Sequence, residues 1–366
     1  MSTSIGRKRY YYWGGLCLLI FAGFLIWRGI DRAGHVSGAY YQGPVPSGGG
    51  VMVRLRPGAD YHSVAGSITS RTNVFDVFGE IRLTEIIAHS LMTQPFQQVT
   101  NSVIRGRLID DRLDLSVSNS HPTNGTVGHF SAEKIAEERR YSKSKIFRLG
   151  RYGASQKAAS HFPQIIADSF SAADELNSSL DRLAKEQVED FQLDFWSLVK
   201  DGFRFPGPSF DWVSESDFEL VLVTSNLVSL RFLNYVFTGG AHGNYVFHGV
   251  NYYSDDAKSV REFHLEEVFD EKSSGIQICE AECLTRLREQ GAGYIDDESV
   301  ISFDEDDLSA FTLCDAGLVF HFSPYHVGPY SQGAFHVLVP AEPLRGTLSR
   351  SGAGMAIERI WFSTSH

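Results

Sequence analysis

The stretch Thr238-Gly239-Gly240-Ala241-His242-Gly243-Asn244 lies between two segments rich in residues that favour β-strands. Residues Leu227–Phe237 precede it and residues 245–253 follow it, and both segments are dominated by aromatic and aliphatic side chains. Three glycines within five positions supply the backbone angles of a tight turn, or leave room for the close approach of another group. The stretch therefore predicts a β-hairpin.

Strands outnumber helices on both sides of this hairpin. Apolar residues recur at helical spacing in two segments, which predicts one helix from Asp174 and another over residues 273–290. The predicted buried stripes are Leu176, Leu180, Leu183, Phe191 and Phe195 in the first helix, and Ile276, Cys279, Cys283 and Leu287 in the second. A further hairpin is predicted over residues 311–322, and late strands over 335–339 and 357–362. This pattern predicts an α+β fold with an antiparallel sheet and two main helices.

The composition divides the chain into six segments. Residues 1–9 are predicted to be a cytoplasmic tail, residues 10–30 a transmembrane anchor, and the proline- and glycine-rich residues 31–50 a linker. Alternating apolar residues predict a small antiparallel β domain over 51–138. An α+β companion domain over 139–250 and a C-terminal domain over 251–366 follow. The companion domain begins with a basic stretch that we interpret as a connector: Arg139, Arg140, Lys143, Lys145, Arg148 and Arg151.

Residues 10–27 contain no charged side chain, and 18 residues in a helix nearly cross a hydrocarbon layer of ~30 Å. Arg7, Lys8 and Arg9 precede this run, which predicts that the N-terminus stays in the cytoplasm. A cleaved signal peptide is the alternative, but the residues after Trp27 lack the small side chains of a cleavage site. The expected location is the bacterial inner membrane, single-pass, with the body in the periplasm or outside.

The charge of the chain limits its partners. The formal net charge is −11, which argues against a general affinity for nucleic acid. Four of the 33 basic residues and none of the 44 acidic residues precede residue 31, so residues 31–366 carry a net charge of −15. Such a body attracts cationic partners.

His242 is the most distinctive candidate for chemistry, because an imidazole with a pKa near ~6.5 carries protons or binds metals. No second or third metal ligand stands at a suitable spacing, and no G-x-S-x-G motif is present, so we expect no metal and no cofactor. Two alternatives remain open. His242 either belongs to a structural or binding loop, or it works with a nearby carboxylate such as Asp255 or Asp256 in an enzyme that acts on wall polysaccharide.

The cysteines raise a separate question. Cys279 and Cys283 lie four residues apart on a predicted helix, a spacing that fits a disulfide poorly. In an oxidising compartment, Cys314 is therefore predicted to pair with Cys283 or Cys279. Three buried thiols are the alternative.

Two strings in the C-terminal half resemble an exported bacterial domain of unknown function. The first runs from Phe237 through Asn244 and continues in residues 263–269, and the second covers residues 320–333 and includes Tyr325, Gly328 and Tyr330. This domain forms the extracellular part of RsiV, a lysozyme-sensing anti-sigma factor, and it accompanies catalytic domains in some peptidoglycan deacetylases. Residues 145–235 resemble the companion that usually precedes it.

The resemblance implies an envelope-facing binding or sensing module without catalytic residues of its own. Its implied partners are lysozyme-like cationic proteins or peptidoglycan. The candidate residues of a binding or structural loop are Gly239, Gly240, His242, Gly243, Asn244, Tyr325, Gly328 and Tyr330. One departure limits the comparison with RsiV. Only nine residues precede the predicted anchor, too few for an interface with a sigma factor, so we expect no sigma factor as partner.

Overall fold

The structure is a computed structural model that describes residues 38–44, 50–57, 63–70, 73–82, 85–91, 102–109, 111–119, 126–149, 152–191, 200, 209–256, 259–295, 303 and 307–362. The predicted membrane anchor over residues 10–27 lies outside these residues. Among the residues that are described, no helix has the length and hydrophobicity needed to span a membrane.

The first eight strands form a closed ring. Each strand pairs antiparallel with its neighbour in sequence, and β1 also pairs with β8. The strands are β1 (Ala39–Pro44), β2 (Gly50–Pro57), β3 (Ser63–Ser70), β4 (Asn73–Arg82), β5 (Glu85–Leu91), β6 (Ser102–Ile109), β7 (Arg112–Asn119) and β8 (Thr126–Leu149). Residues two apart on a strand share one face, and this alternation buries Val53, Leu55, Leu113 and Leu115 in one cluster.

Strand β8 continues beyond the ring into a second group of strands, the central sheet. Its members after β8 are β9 (Tyr152–Ile165), β10 (Ser209–Val223), β11 (Leu227–Phe237), β12 (Asn244–Asp256) and β13 (Ser259–Glu262). Strands β9 and β10 run parallel, whereas the other neighbours are antiparallel. A parallel pair needs a long crossover, and helix α1 (Ala173–Asp190) lies in that connection. Leu176 and Leu180 of α1 are buried in one cluster with Phe218 of the sheet.

The C-terminal part covers the opposite face of the central sheet. It consists of α2 (Leu265–Val268), α3 (Gly275–Glu289), β14 (Phe311–Cys314), β15 (Gly317–Phe322), β16 (Phe335–Pro340) and α4 (Gly352–Phe362). Strands β14, β15 and β16 form a small antiparallel sheet. The Phe311 carbonyl group lies so close to Gly249 of β12 that a Cβ atom at that glycine would be 1.6 Å from its oxygen. Only a glycine therefore permits this packing.

The predicted α+β fold class is wrong. The chain is mostly β, because the first thirteen strands join in one mixed sheet that includes a parallel pair. Both predicted main helices are present as α1 and α3, and the hairpin of β14 and β15 is confirmed. Helix α1 ends at Asp190, so Phe191, predicted on its buried stripe, lies just beyond it, and Phe195 lies outside the described residues. Residues 357–362, predicted as a strand, instead belong to helix α4. Ala353, Ala356 and Ile357 share its buried side at the spacing of a helix.

Two predicted connections are parts of strands. The linker over residues 31–50 contains β1, whose Tyr40 and Tyr41 are buried. Arg139, Arg140, Lys143, Lys145 and Arg148 of the basic connector lie in β8, whereas Arg151 lies outside the described residues. The predicted boundary after residue 138 falls inside β8, and the one after residue 250 falls inside β12.

The predicted disulfide does not form. Cys279, Cys283 and Cys314 are all buried, and no disulfide bond joins Cys314 to Cys279 or Cys283. Burial raises the pKa of the Cys279 thiol to about 12, and it also raises the pKa of Cys283. The thiols therefore act as small apolar side chains in the core.

Candidate functional site

The predicted hairpin is present, and its turn explains two of the glycines. Tyr235 of β11 faces Tyr245 of β12 as a register partner, and the turn follows at residues 238–243. Gly239 and Gly240 have φ angles of 109° and 103°, which strain any residue with a Cβ atom. Gly243 serves a different purpose, since a Cβ atom there would lie 2.4 Å from the ring of Tyr235.

The second loop, residues 323–333, is held by its own hydrogen bonds. The Tyr325 amide donates to the Gly328 carbonyl oxygen at 3.0 Å, and Tyr325 itself has a φ angle of 72°. Oε1 of Gln332 accepts from the Gly293 amide at 2.9 Å and fills the space in which a Cβ atom of Gly328 would lie. Tyr325 is the one non-glycine residue with positive φ in the described part of the chain.

The two loops meet in a group of rings that we call the aromatic loop cluster: His242, Tyr245, Tyr325 and Tyr330. The rings of His242 and Tyr330 stack with centroids 3.9 Å apart and planes 18° apart. The Tyr330 hydroxyl donates to the Gly243 carbonyl oxygen at 2.8 Å, and His242 Nδ1 lies 2.9 Å from the same oxygen. Tyr325 and Tyr245 lie 5.6 and 6.0 Å from the ring of Tyr330.

The cluster is open to solvent on one side. Tyr325 is 52% exposed and His242 is exposed, whereas Tyr330 and Tyr245 are half-buried. Exposed aromatic residues that carry a polar group are enriched at contact surfaces, since their rings bury much apolar area. The loop residues named from the sequence lie in the two loops that meet here, except Asn244, which follows the first loop as the first residue of β12. The arrangement suits binding.

The predicted catalytic pair is not brought together. Asn244 begins β12 and Asp256 ends it, so Asp255 and Asp256 lie at the end of the strand remote from His242. At ~3.3 Å per residue, the separation along the strand is roughly 35 Å. In the ranges that the structure describes, no group of three or more His, Cys, Asp or Glu side chains is placed to hold a metal ion.

A buried polar network that we did not predict lies under the cluster. Glu219 of β10 and Arg231 of β11 are register partners and form an ion pair. Ser67 and Thr69 of β3 each donate to Glu219 Oε1 at 2.7 Å, which connects the ring to the central sheet. Burial favours the protonated form of Glu219, but Arg231, Arg54 and the two hydroxyl groups outweigh it and lower its pKa to about 2.

Two histidines extend this network into the small sheet. His321 Nδ1 and His336 Nδ1 are 2.9 Å apart, and His321 Nε2 lies 2.9 Å from Thr312 Oγ1. Burial, helped by Arg231, lowers the pKa of His336 to about 3. Burial and the neighbouring His336 hold the pKa of His321 well below its usual value. The sequence signal for these residues was the presence of Arg231, His321 and His336 in the mostly apolar strands β11, β15 and β16.

Two protein-family models match the segments of the chain that contain these two loops. A family model described as Deacetylase PdaC matches residues 156–245, and one described as a protein of unknown function (DUF3298) matches residues 266–342. Neither match covers half of the chain. His242 lies in the first matched segment and Tyr330 in the second. The two models together indicate an envelope-associated protein.

Two solved structures resemble the chain at low identity. A member of the DUF3298 family from Bacteroides fragilis is 18% identical, and the alignment covers 62% of this chain and 97% of that one, with a TM-score of 0.41. A DUF3298 family protein from Pseudomonas aeruginosa is 17% identical, with 58% and 94% covered and a TM-score of 0.40. No curated protein matches the chain.

Proposed function

We propose that the protein is a non-catalytic binding or sensing protein of the cell envelope, and that the aromatic loop cluster is its contact surface. The observation that carries the proposal is the position of Tyr325. Its ring is half exposed, its backbone has a φ angle of 72°, and Tyr330 packs against it. Backbone strain of this kind persists where the surrounding structure enforces it, and it concentrates at functional sites.

The partner that best fits this surface is a cationic envelope protein of the lysozyme type. Tyrosine rings attract lysine and arginine side chains through their π-faces. The net charge of −15 on residues 31–366 attracts the same partner over a longer range. The resemblance of both loops to the extracellular part of RsiV supports the same kind of ligand, and peptidoglycan is the other ligand to be tested. Under this proposal the described residues lie outside the cytoplasm.

An envelope enzyme remains the alternative function. The word deacetylase in the name of one matched family favours it, but that match ends at residue 245. His242, the residue on which this alternative rested, stacks on Tyr330 and contacts the Gly243 carbonyl oxygen, while the carboxylates expected to assist it lie at the far end of β12. The binding function is therefore the one that the geometry supports better.

The test is a titration of lysozyme onto the full chain and onto Tyr325→Ala. Ile109→Ala is the matched control. Ile109 is also 52% exposed, but it lies in β6, in the ring formed by strands β1 to β8. We expect Tyr325→Ala to weaken binding about tenfold, which corresponds to ~1.4 kcal/mol. Binding should also weaken when salt rises from ~0.1 M to ~1 M, because the Debye length falls from ~10 Å to ~3 Å.

Three outcomes would contradict the proposal or its ligand. Equal binding by Tyr325→Ala and Ile109→Ala would remove the aromatic loop cluster from the interface. Binding to sedimented peptidoglycan, with none to lysozyme at low salt, would replace the cationic protein by the wall polymer as ligand. Release of acetate from peptidoglycan by the purified protein, lost in His242→Ala with unchanged folding, would establish the enzyme instead.

A further inference from the structure

Strand β8 pairs with β9 along one edge, here called the inner edge, and with β1 along part of the other, here called the outer edge. On its inner edge β8 pairs with β9 along the whole stretch from Ala136 to Leu149. On its outer edge, the pairing with β1 ends at Glu137, and the Glu138 amide makes one last hydrogen bond, to the Gly38 carbonyl oxygen at 2.6 Å. Among the described residues, no strand pairs with the outer edge beyond this point.

The groups that this edge presents follow from strand geometry. Successive residues of a β-strand direct their backbone groups to opposite edges. The Glu138 amide points outward, and the register with β9 is unbroken, so the amide and carbonyl groups of Arg140, Ser142, Ser144 and Ile146 also point outward. Residues 142–146 are exposed, and Ile146 is 73% exposed. This edge is long enough, at about 20 Å, for a six- to seven-residue strand.

The side chains along this edge are basic, although the protein as a whole is acidic. Arg139, Arg140 and Lys145 are exposed, and Lys143 contacts Glu189 of α1. Basic side chains protect an open edge from pairing with a second copy, because like charges on opposed strands repel each other. The same side chains attract an extended segment that carries carboxylates.

We propose that the outer edge of β8 from Arg140 to Ile146 binds an extended acidic polypeptide segment of a partner protein as an added β-strand. Backbone hydrogen bonds to the four outward-facing residues provide the affinity, as in other cases of strand addition. Arg139, Arg140 and Lys145 select carboxylate side chains. This surface is separate from the aromatic loop cluster, so either proposal stands if the other fails.

The probe for this surface is a fluorescent peptide of five Glu-Thr repeats, and binding to the full chain is measured by fluorescence anisotropy. A version of the same peptide with every backbone amide N-methylated keeps the charge but cannot pair as a strand, and we expect it to bind at least tenfold more weakly. A peptide of five Lys-Thr repeats should not displace the probe from this edge. Polyphosphate should not displace the probe at an equal charge concentration, since it has no peptide backbone.

Two variants test the same edge from the protein side. Ser144→Pro removes one outward amide and should weaken probe binding about tenfold, whereas its control, Ser144→Ala, should leave binding unchanged. Lys145→Glu should weaken binding by repulsion. If Ser144→Pro fails to fold, Lys145→Glu and the N-methylated peptide decide the question. Failure of the probe to bind, equal binding of the N-methylated peptide, or displacement by polyphosphate would overturn the proposal.

Discussion

His242 and Tyr330 lie face to face with ring centroids 3.9 Å apart, and both contact the carbonyl oxygen of Gly243. The first residue belongs to the turn between β11 and β12, and the second to the loop between β15 and β16. This contact is therefore one of those that join the central sheet to the C-terminal part of the chain. The contact also supports the exposed Tyr325, whose ring lies 5.6 Å from that of Tyr330.

We predict that His242 and Tyr330 are energetically coupled. A double-mutant cycle with His242→Ala and Tyr330→Ala, measured by urea unfolding, should give a coupling free energy of about 0.5–1.5 kcal/mol. Tyr330→Phe keeps the stacked ring and loses only the hydrogen bond to Gly243, so it should cost about 1 kcal/mol. A coupling of zero would mean that the stack contributes nothing to stability.

The ion pair of Glu219 and Arg231 should contribute strongly to stability. Glu219→Gln leaves the largely buried Arg231 without its carboxylate, and the loss of one partner from a buried pair costs about 3–5 kcal/mol. Glu215→Gln is the matched control, because Glu215 lies on the same face of β10 but is exposed. Chemical unfolding of both variants checks this expectation, and an equal effect on the two would refute it.

Acid should destabilise the protein through the same carboxylate. The pKa of Glu219 is about 2 in the folded protein, compared with 4.5 for an unperturbed glutamate. The unfolded chain therefore binds a proton at this residue first as the pH falls. The stabilisation is fully present above about pH 4.5 and is lost between about pH 4.5 and pH 2, with a magnitude of ~3 kcal/mol. Unfolding free energies of the wild type should fall more steeply in this window than those of Glu219→Gln.

The pair of His321 and His336 should make the fold less stable as the pH falls, beginning at a higher pH than Glu219 does. The pKa of His336 is lowered to about 3, so below about pH 6.5 the unfolded chain takes up a proton that the folded chain does not. Stability should therefore decrease as the pH falls from about 6.5 towards 3, by up to ~1.4 kcal/mol per pH unit. His336→Gln should flatten this dependence between pH 6.5 and pH 5, and an unchanged slope would exclude His336 as its source.

The thiols of Cys279 and Cys283 should be inert in the native protein. Burial raises the pKa of Cys279 to about 12, and a thiolate is needed for attack on a disulfide reagent. A chromogenic disulfide reagent at pH 8 should label neither thiol until denaturant is added. Mass spectrometry of unreduced tryptic peptides should find no bridge to Cys314, and a linked peptide would contradict the structure.

Local patterns in the sequence were enough to predict several elements. The spacing of Leu176 and Leu180 identified α1, and that of Cys279, Cys283 and Leu287 identified α3. The glycines at 239 and 240 marked the turn of the central hairpin, because positive φ angles strain other residues. These features depend on residues a few positions apart, so they are visible in the sequence.

The pairing of distant elements was decided by the tertiary structure alone. No local sequence feature distinguishes a strand that closes a ring from a strand that joins a mixed sheet. Strand β8 does both, because it pairs with β1 and β7 in the ring and with β9 in the central sheet. Likewise, Glu219 is paired in its buried position by Arg231 across the strand register and by Ser67 and Thr69 of β3. His242 contacts Tyr330 because the small sheet packs on the central sheet. Strand backbones offer the same hydrogen-bonding groups to every neighbour, so burial and register across the whole fold select the partner.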